Sequence, residues 1–266
     1  MRDPLRRAVH RGLELTGLIG PLHRRQEREL VRSFASEAID DQRPMPPAEL
    51  IVLVAGASGH AWFSERGRAD AERFLALAAK HGLTGPLDVW DLGCGCGRIA
   101  RWAAPSVIAG GGTFHGSDIN RRLLDWCAGA LPGTYFVNRL TPPVKLAPAS
   151  IDLVYAYSVL THLRENGTRA WLAETARTLR PGGIALLTFH DEDYARAWGP
   201  AEVPPLLAAQ DYVVWNDALE GSNYLSAWTS RAYFTQMAQE HFEVLEIIPG
   251  QTDTAVQATA VLKRRA

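Results

Sequence analysis

The chain has 266 residues, 47% of them hydrophobic and 21% charged, with a formal net charge of -1. That length can bury a full core, and the near-neutral balance argues against an electrostatic design for nucleic acid. Three cysteines are too few for a disulfide framework and fit a reducing, cytoplasmic setting. No apolar stretch is long enough to span a membrane, and Glu14 and Pro21 break the stretch that could have served as a signal peptide.

Residues 1 to about 85 read as mostly helical, a cap or lid. Leu30, Phe34 and Ala38 share a helix face, with Arg24, Arg25, Arg28 and Arg32 alongside, and Pro44, Pro46 and Pro47 end that pattern. The arginines read as a solvated face. A second helix is predicted over Ala69–Lys80, with Gly82 just past its end.

From Pro86 to the end, strands alternate with helices, the pattern of a doubly wound α/β sheet. The predicted strands are Leu87–Leu92, Thr113–Ser117, Thr134–Val137, Ile151–Tyr157, Ile184–Phe189, Phe242–Ile248 and Gln257–Lys263. The clearest helix runs from Gly167 to Leu179 and stops at Arg180-Pro-Gly-Gly183. The last two strands, joined through Pro249-Gly250, read as a hairpin with an antiparallel final strand at the sheet edge. Residues 191–229 read as a long aromatic insertion carrying Tyr194, Trp198, Tyr212, Trp215, Tyr224 and Trp228.

The segment Val89-Trp-Asp-Leu-Gly-Cys-Gly-Cys-Gly-Arg-Ile99 carries the most chemistry. It reads as a buried strand, a turn built on Gly93, Gly95 and Gly97, and a helix start near Arg98. The glycines permit a sharp turn and a close approach of backbone to a ligand. Cys94 and Cys96 read as small residues in that turn, because no second pair completes a metal site. Asp118 ends the second strand about 20 residues on, where an acid can accept hydrogen bonds from a ribose. Two cofactors suit this pattern: S-adenosylmethionine (SAM) and a nicotinamide dinucleotide. The spacing G-x-G-x-G, unlike the G-x-G-x-x-G that seats a pyrophosphate, favours SAM.

Residues 89 to 190 resemble the class I SAM-dependent methyltransferases, in particular the small-molecule branch labelled type 11 or 12. The resemblance rests on Asp91-Leu-Gly-Cys-Gly-Cys-Gly-Arg98, Gly116-Ser-Asp-Ile119, Ile151-Asp-Leu-Val-Tyr-Ala-Tyr-Ser-Val-Leu-Thr-His-Leu163 and Leu179-Arg-Pro-Gly-Gly183. It implies a seven-stranded, mostly parallel, Rossmann-like sheet. It also implies that Asp91, the three glycines, Cys94 and Arg98 line the methionine end of SAM, and that Asp118 holds the ribose. Ile119, Asn138 and Leu140 would meet the adenine, and Ser158 the methionyl portion. The stretch Arg139 to Ala149 departs from the family pattern, being proline-rich and lacking the usual acid at its start.

A sulfonium methyl is already activated, so a base matters only where the acceptor must lose a proton. His162, after the fourth strand, is the first candidate and His190, ending the fifth, the second. Trp62, Phe63, His162, Tyr224 and Trp228 are the expected walls for a small-molecule acceptor. The sequence indicates no metal, no nucleic acid and no membrane as partner, and leaves a homodimer open. The competing readings are a nucleic-acid or protein methyltransferase, a nicotinamide-dependent dehydrogenase, and a non-catalytic SAM-binding subunit. The first lacks the Asn/Asp-Pro-Pro-aromatic motif of base-amino methylation: the fourth strand ends Tyr157-Ser-Val-Leu160.

Overall fold

The computed structural model of the chain describes residues 19–34, 41–56, 59–252 and 255–265; Ala38, of the expected first helix, lies outside them. The helices that open the chain are α1 (Ile19–Arg32), α2 (Ala48–Ala55) and α3 (His60–Lys80). Then come β1 (Asp88–Leu92), α4 (Ala100–Ala109), β2 (Thr113–Asp118), α5 (Arg121–Ala130), β3 (Thr134–Val137) and β4 (Ile151–Ala156). A single 3-10 turn at Leu160–His162 leads to α6 (Glu165–Thr178) and β5 (Leu179–Phe189). The chain continues through α7 (Glu192–Trp198), α8 (Val203–Gln210), β6 (Tyr212–Trp215), β7 (Ser226–Thr229) and α9 (Arg231–Gln239), and closes with β8 (Phe242–Ile248) and β9 (Ala258–Arg264).

Seven strands form one sheet in the order β3-β2-β1-β4-β5-β9-β8. The first five run parallel, and β9 lies antiparallel between β5 and β8. This is the Rossmann-like methyltransferase sheet that the motifs imply. One detail differs: the final strand is interior, and β8 takes the edge. The sequence shows why. Ala258 to Leu262 is an unbroken apolar run apart from Thr259, and all five residues are buried, as a strand covered on both faces requires. β8 carries two charged residues, Glu243 and Glu246, and is only partly buried past Phe242, which suits an edge.

Helices cover both faces. On one, Trp171, Leu172 and Ala176 of α6 and Phe234 and Met237 of α9 pack on Trp90, Val154, Ala185 and Leu187. On the other, Ala71, Phe74 and Ala78 of α3 meet Val89, Tyr155, Ile184 and Val261. Thus α3 is a layer of the sheet domain, although it precedes the strands in sequence. Leu50, Ile51 and Phe63 form a smaller cluster with Cys96 and Leu123, which seats α2 beside the glycine turn.

The approach to that turn is pinned by Arg101. Its guanidinium, 1% exposed, donates to Asp41 Oδ2 (2.5 Å), Ser64 Oγ (3.2 Å) and the carbonyls of Arg43 (3.0 Å) and Pro44 (3.2 Å). Burial pushes the Asp41 carboxyl upward, but donors from Ser64, Arg43 and Arg101 outweigh it and hold the group below its ordinary range.

The insertion is ordered rather than a loop. Val203-Pro-Pro opens α8, and β6 pairs antiparallel with β7 in a separate two-stranded sheet. Among the described residues, no helix is long and apolar enough to cross a membrane.

Candidate active site

The carboxyl ends of β1, β2 and β4 converge, as ligand sites do in open α/β sheets. β1 ends in Asp91 and Leu92, and the chain then turns through Gly93, Gly95 and Gly97, all at positive φ (74°, 56° and 83°). The N–H groups of Gly93 and Cys94 donate to the Ser117 carbonyl (2.8 and 2.9 Å), tying the turn to β2.

The glycines also serve packing against the protein. A Cβ at Gly93 would fall 2.2 Å from Val159 Cγ2, and one at Gly97 2.4 Å from Leu131 Cδ1. At Gly95 it would stand 3.0 Å from Val54 Cγ1 of α2. The absent side chains therefore make room for neighbouring segments as well as for a ligand.

Asp118 lies at the β2 end. Gly95 N–H donates to its Oδ2 (3.1 Å) and Asn120 N–H to its Oδ1 (2.8 Å). Burial raises its pKa, and these backbone donors act in the opposite sense. Asp91 is deeper. Tyr155 donates its hydroxyl to Asp91 Oδ2 (3.0 Å), yet burial pushes this carboxyl up to about 8. Arg98 pairs with Asp70 (2.7 Å) and lies over the Tyr157 ring, 4.5 Å from its centroid.

A cavity of about 520 Å³ opens over these residues. Asp91, Gly93, Cys94, Gly95, Arg98, Asp118, Ile119, Asn138, Leu140, Ser158 and His162 all line it, as do Trp62 and Tyr224. Gly97, Phe63, His190 and Trp228 do not. Gly97 sits behind the turn against Leu131 and Cys127. Phe63 is fully buried beside Cys96 and Leu123. Trp228 fills the satellite cluster of Val203, Leu207 and Val213. His190 lies behind the wall, stacked on Tyr194 (centroids 3.8 Å apart) and within reach of Gln257 (Nε2 to Nε2, 3.3 Å), both of which line the cavity. Burial, with His162 nearby, drives its pKa well down.

His162 keeps its place on the wall. Its Nδ1 lies 2.7 Å from the Leu225 carbonyl, which accepts, so Nδ1 carries the proton and Nε2 a lone pair. Burial lowers its pKa, so the ring is neutral at pH 7.

Several lining residues carried no motif. Glu27 of α1 accepts a hydrogen bond from Tyr224, and Asn223 donates to the Leu53 carbonyl, so the insertion meets the N-terminal helices across the opening. Gly221, at φ 78°, packs on Leu140, where a Cβ would come 2.7 Å from Cδ1. These contacts join segments far apart in sequence. Among the described residues, no group of three His, Cys, Asp or Glu could hold a metal, and all three cysteines are free and buried.

The strand order and a carboxylate-flanked glycine turn at the strand ends define an α/β fold that takes a nucleoside cofactor. Solved structures share that fold. A SAM-dependent methyltransferase from Mesorhizobium loti superposes with TM-score 0.57 at 19% identity, covering 75% of this chain and 99% of that one. One from Methanosarcina mazei gives 0.53 at 13%, covering 70% and 96%. The CcbJ methyltransferase from Streptomyces caelestis gives 0.54 at 18%, covering 75% and 90%. A family described as a methyltransferase domain matches residues 89–183. Residues 89–183 thus match a methyltransferase domain, and the chain has the fold of the class I SAM-dependent methyltransferases, whose cofactor is SAM.

The cavity fits that cofactor. Asn138 Oδ1 is buried on its wall without a partner, while its Nδ2 donates to the Arg139 carbonyl (2.8 Å). That leaves an acceptor for an amine such as adenine presents. Ile119 and Leu140 stand exposed at the same end, 44% and 36%, as apolar surfaces for a ring.

Proposed function

We propose that the protein methylates a small molecule at an N–H or O–H group, with the acceptor held in the cavity beside His162. The observation that carries this reading is the His162 ring: neutral, with its proton pinned on Nδ1 by Leu225 and a free lone pair at Nε2 on the cavity wall. A volume of about 520 Å³ lies within the range of small-molecule sites.

SAM supplies an activated methyl group. Asp118 would hold its ribose, Asn138, Ile119 and Leu140 its adenine, and Asp91, Gly93, Cys94, Gly95, Arg98 and Ser158 its methionyl end. Trp62, Tyr157 and Tyr194 offer aromatic faces for the acceptor, and Tyr224 helps to close the opening with Glu27. His162 would take the proton the acceptor releases, since a neutral imidazole is a competent base near pH 7. His190, behind the wall and held neutral, would support rather than react. The free, buried cysteines suit a reducing compartment.

The test is incubation of a small-molecule extract with methyl-labelled SAM and the protein. Label in a low-mass compound, lost in Asp118→Ala, supports the reading. Label only in protein or nucleic acid would overturn it.

A further inference from the structure

One wall of the cavity contains a buried hydrogen-bond chain outside the matched 89–183 segment at its key member, Gln257. Gln257 immediately precedes β9 and lines the cavity. Its neighbours are Ser158, Thr161, Thr188 and His190.

One assignment of donors and acceptors satisfies every contact in this chain. Ser158 N–H donates to Thr188 Oγ1 (2.7 Å), and Thr188 donates its own hydroxyl proton to Gln257 Oε1 (2.7 Å). The amide orientation of Gln257 is thereby set. Its Nε2 donates to Ser158 Oγ (3.0 Å) and reaches His190 Nε2 (3.3 Å), so that ring nitrogen accepts. Thr161 donates to the Ser158 carbonyl (2.9 Å), so its oxygen is an acceptor for the Ser158 hydroxyl (3.0 Å). Ser158 has spent its proton on Thr161 and one lone pair on Gln257. A hydroxyl has two lone pairs, and the second is left for a ligand.

Two further observations mark the position. Ser158 has φ 61°, a left-handed backbone uncommon outside glycine. Its neighbour Val159 packs directly on Gly93, so Ser158 stands beside the glycine turn.

We propose that Gln257 is a positioning residue that fixes the Ser158 hydroxyl as a hydrogen-bond acceptor for the ammonium group at the methionyl end of the cofactor. The inference rests on the SAM reading of the cavity. A methionine at 257 matches the length of glutamine but donates nothing. It removes one of the two bonds that orient the Ser158 hydroxyl and leaves Thr161 alone to direct it.

Calorimetry on the full chain tests this with two nucleosides. S-adenosylhomocysteine has the amino-acid end, and 5′-methylthioadenosine lacks it. Gln257→Met is expected to weaken S-adenosylhomocysteine about tenfold, the scale of one hydrogen bond to a charged group, and to leave 5′-methylthioadenosine within about twofold. Retained binding of the second nucleoside also reports a folded site. Gln257→Leu, similar in size and unable to donate or to ionise, is expected to behave like Gln257→Met. In a Ser158→Ala background Gln257→Met should add nothing, because it acts through that hydroxyl. Equal weakening of both nucleosides, no weakening of either, or additive effects of the two substitutions would overturn the inference. Wild-type protein that bound neither nucleoside would overturn the cofactor reading itself.

Discussion

Replacing Asp91 by asparagine is expected to stabilise the ligand-free protein, and more so as pH rises. The Asp91 carboxyl is buried under the glycine turn, and its pKa is pushed up to about 8. In the unfolded chain it returns to about 3.9. Between those values the folded protein keeps a proton that the unfolded chain has released. Fewer protons on the unfolded state mean stability falls with rising pH, by about 1.4 kcal/mol per pH unit for one such group. The contribution is fully present below the unfolded value and gone once pH passes the folded one. From about pH 5 to about pH 7 the loss amounts to about 2.7 kcal/mol. Asparagine has the same shape, keeps an oxygen for the Tyr155 hydroxyl, and never ionises. Urea denaturation of both proteins across this range isolates the effect, because the other carboxylates titrate in both. A stability difference that stays flat with pH, or an asparagine variant that is less stable throughout, would refute the reasoning.

Gly97→Ala should destabilise by about 1–3 kcal/mol, since its Cβ would meet Leu131 at a positive φ; thermal denaturation measures it, and an unchanged midpoint would contradict the packing role. Arg101→Met leaves buried Asp41 with only the longer Arg43 pair (3.6 Å) and should cost about 3 kcal/mol in chemical denaturation. A loss under about 1 kcal/mol would show that Arg101 does not pin residues 41–44. His162→Gln should lower turnover about a hundredfold while S-adenosylhomocysteine still binds. Because burial depresses the His162 pKa, wild-type turnover should fall only below about pH 6.5 and stay level above it. A rate that climbs steadily through pH 8 would exclude this histidine as the base.

Much of the sheet could be read from the sequence because its central strands are short, mostly apolar runs interrupted by a single acid. Val89 to Leu92 and Ile151 to Ala156 are examples, and the acids at 91 and 118 marked the ends that carry the site. The place of β9 was harder. Alternation reports which faces are covered, and an interior strand and an edge strand joined by a turn read alike until their neighbours are known. Tyr212-Val-Val-Trp215 carried an ordinary strand signal that the surrounding aromatics obscured. The aromatic residues divided for a simple reason: Trp62 and Tyr224 face the cavity while Phe63 and Trp228 fill cores, and composition does not distinguish a wall from a core. Gln257 and Glu27 had no motif, because their significance lies in contacts made across 99 and 197 positions of chain.

Asp118 is the carboxylate proposed to hold the cofactor's ribose. Titration calorimetry with S-adenosylhomocysteine, comparing wild-type protein with Asp118→Ala, measures this most directly. Loss of two charge-assisted hydrogen bonds predicts an affinity at least about a hundredfold weaker in the variant. Equal affinity in the two proteins would contradict it.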